Sequence, residues 1–147
     1  SDFNLDAVRE MQLDSTTVTG LSDAGAHVSL IFDAVNPTYQ LSYWTRDRTR
    51  GQTLPLAHVI HRATRRNAKL FGFHDRGLIA PGMRADINVI DYENLGLGEL
   101  AIQNDLPAGG GRLMQGATGY IATMIDGIIT RRHDEDTGAR PGRLVRS

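Results

Sequence analysis

Residues 19–28 read TGLSDAGAHV and set an aspartate and a histidine four positions apart, Asp23 and His27, in a run otherwise short of functional side chains. A carboxylate that follows a buried strand can bind a divalent metal or take a proton from water. It can also close a turn through its side chain, and spacing alone favours that role while leaving the other open. His27 is placed to orient a substrate or a carboxylate, although a lone loop histidine is more often a surface or hydrogen-bonded residue.

Other residues offer less. His58 and His61 lie three apart, a spacing that puts two imidazoles on one side of a helix, but no acidic residue accompanies them as in a metalloprotease helix. They read as packing or surface residues. The runs RDRTR (46–50) and HRATRR (61–66) could contact phosphates, yet the acids nearby and the near-neutral chain favour a solvated helix face. AGGG at 108–111 has no Lys-Ser/Thr partner and is a weak signal for nucleotide binding. Lys69 is the only lysine among 16 basic residues, and there is no cysteine. Disulfides, thiolate metal sites and a cysteine nucleophile are thereby excluded.

The elements that must position these residues follow from periodicity and punctuation. Leu5, Val8 and Met11, after a capping Asn4, predict a short helix over about 5–12. TTVTGLS (16–22) is β-rich and apolar, reads as a buried parallel strand, and puts Asp23 just past its end. Asn36-Pro37 opens a second helix that places Tyr39, Leu41 and Trp44 on its apolar side. A third helix over 55–71 starts at Pro55 and stops at Gly72. A strand is expected over 86–91, and Asp126-Gly127 is a two-residue hairpin signal between YIATMI and IITRR. DLPAGGGRLMQ (105–115) reads as a glycine-rich loop leading into a short strand, and 133–147 as a polar tail, extended or mobile. The order is that of the end of an α/β region running into a small β region.

The chain has 147 residues, 40% hydrophobic, with a net charge of -1. That is one domain's worth of chain with no electrostatic reason to bind nucleic acid or a membrane. The polar start lacks a signal-peptide core, and cytoplasm is the default compartment. The sequence starts at Ser1 without a methionine, so more chain upstream is an expectation.

Taken together, GLSDAGAH, LPLAHVIHRATRRNAKLFGFHDRGLIAPGMRADINVID and TMIDGIIT resemble the C-terminal part of the amidohydrolase superfamily, most closely the N-acyl-D-amino-acid deacylases, or D-aminoacylases. The resemblance covers nearly all of residues 16–132. It implies an α/β fragment: the last βα portion of a metal-dependent (β/α)8 barrel over 1–72, strands of a small β-sandwich over 73–132, and a polar tail over 133–147. It implies that Asp23 is both a metal ligand and the catalytic carboxylate, with His27 a substrate contact, and that zinc serves the full-length enzyme. The family's His-x-His pair, later metal histidines and other main ligand have no counterpart here, so this chain alone is expected to bind no metal and to be inactive. No arginine or lysine lies between Asp23 and Trp44, where related deacylases can carry a basic residue for the substrate carboxylate.

The reading that follows is a C-terminal fragment of an enzyme that hydrolyses small-molecule N-acyl-D-amino acids. Two alternatives stand beside it. One is a cyclic-amide hydrolase of the dihydroorotase or hydantoinase kind, which shares the late aspartate. The other is a non-catalytic assembly domain, in which exposed sheet edges favour a homo-oligomer.

Overall fold

A computed structural model describes residues 4–20, 22–27 and 29–145. Its first half is helical. Helix α1 spans Asp6–Leu13, and the Asn4 side chain accepts the Asp6 amide at 3.1 Å, close to the expected capping role. A 3-10 turn, Asp33–Val35, leads into α2, Asn36–Ser42, with Pro37 in its first turn. The chain then passes into a π-helical turn, Tyr43–Asp47. The third predicted helix is present in three pieces: α3, Leu56–His61, a π turn, Arg62–Arg66, and α4, Asn67–Leu70.

These helices share one core. Trp44, Leu54 and Val59 are buried, and Val8, Tyr39, Leu41 and Tyr43 pack around them. Tyr39 stacks on Tyr43 with centroids 4.8 Å apart, and Tyr43 meets Trp44 edge-on. The Arg48 guanidinium lies over the Trp44 ring at 5.0 Å, a cation–π contact in a desolvated place. The apolar side read from the sequence for Tyr39, Leu41 and Trp44 is therefore the one that faces the core.

The second half is built of antiparallel strands. β1 (Ile87–Ile90), β4 (Tyr120–Ile125), β5 (Ile128–Arg132) and β6 (Glu135–Asp136) form one sheet in the order β1-β4-β5-β6. The β4–β5 hairpin turns at Asp126 (φ 53) and Gly127 (φ 76), the pair of left-handed residues that a tight two-residue turn requires. β2 (Gly96–Leu106) and β3 (Gly110–Thr118) pair only with each other. Leu95, 1% exposed, is wedged beneath Gly119, where a Cβ would sit 2.7 Å from the Leu95 Cα.

Three expectations are corrected. Residues 16–20 and 22 form no strand, because among the described residues no other segment pairs with them; Leu21 lies outside those residues. Residues 105–115 are not a loop before a short strand but the end of β2, a 3-10 turn, Pro107–Gly109, with Ala108 and Gly109 both at positive φ, and the first part of β3 in one long hairpin. The start of the tail is ordered as β6, whose Glu135 and Asp136 pair with Arg132 and Arg131.

Candidate functional site

Residues 17–20, which lead toward Asp23, belong to no sheet, so their polar groups, like the carbonyls at the C-terminal end of α1, must find partners elsewhere. They find side chains of the long helix. His58 Nε2 lies 3.0 Å from the Gln12 carbonyl. The Arg62 guanidinium donates to the same carbonyl and, at 3.2 Å, to Thr17 Oγ1. Arg66 donates to the Ser15 carbonyl. Asn67 Nδ2 reaches both the Thr19 carbonyl, at 3.2 Å, and Thr19 Oγ1, at 2.9 Å. Positions 58, 62 and 66 recur every four residues, which aligns them on one helix face.

This arrangement corrects the reading of the arginine runs as a solvated face. Arg62 and Arg48 are each only 4% exposed. Arg48 donates to the Asn4 carbonyl at 2.5 Å and to the Asp6 carboxylate at 2.6 Å. Arg62 has carbonyl and hydroxyl acceptors instead of an acid, and burial followed by repulsion from Arg66 lowers its pKa below the ordinary arginine value. The guanidinium nevertheless stays charged at neutral pH. Composition could not reveal this use, since these acceptors, main-chain and side-chain, lie 42 to 50 positions away. Of the two histidines, His58 joins this face and His61 is exposed, as a packing or surface role requires.

Asp23 opens a turn, yet its carboxylate does not close it. The Asp23 carbonyl accepts the Ala26 amide at 2.9 Å, and Gly25, at φ 97, provides the left-handed step. His27 follows at φ 46, and its carbonyl accepts the amides of Leu30 at 2.7 Å and Ile31 at 3.2 Å. Among the described residues no hydrogen bond or ion pair engages the Asp23 carboxylate or links it to the His27 ring. Both side chains are exposed on the same turn. The Asp23 amide points to Asp33 Oδ2 at 3.4 Å, an oxygen that also receives Asn36 Nδ2. Asp33 Oδ1 is buried without a partner. Asp33, ten positions on, is the neighbour that sequence reasoning missed, and no local motif marks it.

A pocket of about 360 Å³ lies elsewhere, between α2 and the strands. Thr38, Tyr120, Asn88 and Gln115 are among its walls, and the Thr38 and Tyr120 hydroxyls are joined at 2.9 Å. Neither Asp23 nor His27 lines it. For a metal, the described residues bring together no group of three or more His, Cys, Asp or Glu side chains. A catalytic zinc needs about three protein ligands, so the donor set present here does not fit one. No helix among the described residues is long and apolar enough to cross a membrane.

Comparison with known proteins gives one broad match and several narrow ones. The amidohydrolase family matches residues 3–130. Adenine deaminases of Brucella abortus (strain 2308), Brucella melitensis biotype 1 and Brucella suis biovar 1 are each 45% identical over 51 residues. That stretch is 35% of this chain but only 9% of the length of those enzymes. No solved structure matches.

Proposed function

Since the chain belongs to the amidohydrolase family, we propose that it is the C-terminal part of a hydrolase that cleaves the amide bond of N-acyl-D-amino acids, with Asp23 as its catalytic carboxylate. The observation that carries the reading is the Asp23 carboxylate itself, exposed and unused by its own turn, on a run anchored to the long helix within the family match. Beside a ligand role toward a metal, a carboxylate so placed can handle the proton of amide hydrolysis. It takes a proton from the attacking water as the tetrahedral adduct forms, then gives that proton to the amine nitrogen as the carbon–nitrogen bond breaks. The products are a carboxylic acid and a D-amino acid. In this reading His27, exposed on the same turn, contacts the substrate. Members of this family are generally metal-dependent; the described residues bring together no metal site, and in this reading the remaining ligands come from residues outside this chain.

The likeness to adenine deaminases supports a second reading, hydrolytic release of ammonia from an adenine-like base. Both readings share a carbon–nitrogen bond and a proton-handling aspartate. The test is to express the natural gene product at its full length and offer it N-acyl-D-amino acids, their L-isomers, a cyclic amide and adenine. The expected result is D-selective deacylation that Asp23→Asn lowers by about 10²–10⁴-fold. Turnover of adenine alone replaces the first reading with the second, and turnover of the cyclic amide alone replaces it with a ring-opening hydrolase. No turnover of any of them leaves a non-catalytic assembly role as the better account.

A further inference from the structure

We propose that Asn67 is a positioning residue for Asp23. The inference rests on the catalytic reading of Asp23 above, but the geometry behind it does not. Two hydrogen-bonded ties flank Asp23 among the described residues. On the C-terminal side the Asp23 amide meets Asp33 at a long 3.4 Å. On the N-terminal side the first tie is Thr19, whose carbonyl and hydroxyl both receive Asn67 Nδ2, at 3.2 and 2.9 Å. Thr19 Oγ1 in turn donates to the Arg62 carbonyl at 3.4 Å, so the two side chains close a small loop between helix and extended run.

The two described glycines around this point, Gly20 before the turn and Gly25 within it, give little support of their own. A Cβ added at Gly20 or Gly25 would meet nothing within 4 Å, so neither glycine is held by close packing. Among the described residues this run has no strand partner, and of the two ties beside the Asp23 carboxylate the Asn67 tie is the shorter. The amide side chain suits this task. Its one NH₂ serves two acceptors on a single residue, and its Oδ1 is buried with no partner among the described residues. Asn67 does not touch the reacting atoms, so it acts through Thr19 on where the carboxylate stands. A misplacement of about 1 Å at a catalytic group can cost about 100-fold in rate.

The experiment uses the natural full-length gene product and three variants, Asn67→Ala, Thr19→Val and Thr19→Ser. Thr19→Val keeps the β-branched shape but removes the hydroxyl acceptor, whereas Thr19→Ser retains it. Two readouts are taken: steady-state kinetics on an N-acyl-D-amino acid, and amide hydrogen exchange across residues 16–26. The expected result for Asn67→Ala and Thr19→Val is kcat lower by about 10- to 100-fold with KM within about twofold, and exchange at 20–26 faster by about tenfold or more. Thr19→Ser should stay near wild type in both. Unchanged kcat or unchanged exchange at 20–26 in soluble, folded Asn67→Ala overturns the proposal, even if its melting temperature falls. If Asn67→Ala does not fold, Thr19→Val against Thr19→Ser decides by the same two readouts. If the wild-type protein hydrolyses no N-acyl-D-amino acid, the functional reading fails by itself, and the exchange result still decides whether Asn67 fixes the Asp23 turn.

Discussion

The two halves of this molecule satisfy the main-chain groups that helices leave unpaired in opposite ways. Between residues 87 and 136 the strands lend each other amides and carbonyls through the β1-β4-β5-β6 ladder and the β2–β3 hairpin. Between residues 12 and 19 the partners are His58, Arg62, Arg66 and Asn67, one side chain at a time. A ladder is redundant, because each bond has neighbours that hold the same register. A row of side chains is not, so single substitutions should tell the halves apart.

The largest effects should be common to both halves, since each has one fully buried leucine. Leu54→Ala and Leu95→Ala should each cost about 2–5 kcal/mol in urea unfolding. If one of them unfolds only its own half, two transitions replace one, and the comparison sharpens into separate cooperative units. Next comes a backbone test of the strand half. Gly119 has φ 91, and a Cβ there would meet the Leu95 Cα at 2.7 Å, the Leu95 amide nitrogen at 2.8 Å and the Asp91 carbonyl at 2.9 Å. Gly119→Ala should therefore cost about 3 kcal/mol, read from the same denaturation curves.

The contrast itself is tested by Arg62→Met against Thr123→Ala. Arg62→Met leaves its aliphatic contacts but withdraws the charged donor from Thr17 and Gln12, and should cost about 2 kcal/mol. Thr123 Oγ1 donates to Asn88 Oδ1 at 2.9 Å across a pair that the ladder already holds, so Thr123→Ala should cost about 0.5 kcal/mol. Equal losses would break the distinction between the halves.

The smallest effect is at the exposed end of the sheet. The hydrogen bond from Arg140, then the Gly138 amide, lowers the Asp136 pKa to about 2. The sign follows from a depressed carboxylate: its contribution is present above the ordinary value of 3.8 and is lost as pH falls through about 2. Arg140→Ala should move the Asp136 midpoint up toward 3.8 in an NMR titration while leaving stability at pH 7 unchanged within error.

Legibility in the sequence followed the range of the interactions. The helix over 55–71 and the Asp126-Gly127 hairpin are set by local signals, Pro55, Gly72 and two left-handed residues, and both are found. The run at 16–22 has the composition of a buried strand, but a strand is a relation between segments, and no described segment pairs with its described residues, where Val18 is 41% exposed. The β2–β3 hairpin escaped for the reverse reason. Gly96, Gly98, Asn104 and Asp105 depress strand propensity, while pairing across the hairpin supplies what propensity lacks. At the candidate site Asp23 and His27 were legible as residue types at a spacing. Asn67 and Asp33 were not, because their roles arise from contacts 48 and 10 residues away.

The π turn at Arg62–Arg66 bears on how this helix tolerates changes in length. Such a turn closes its hydrogen bond one residue later than an α turn, so it stores one residue beyond what the helical path needs. Removing Ala63 or Thr64 should convert it to an ordinary α turn and leave Asn67 facing Thr19. The same deletion in Leu56–His61, which has no residue to spare, would rotate everything after it by about 100° and carry the row at 62, 66 and 67 away from the run it holds. Among related chains, gains and losses of a single residue should therefore gather at 62–66 and avoid 56–61.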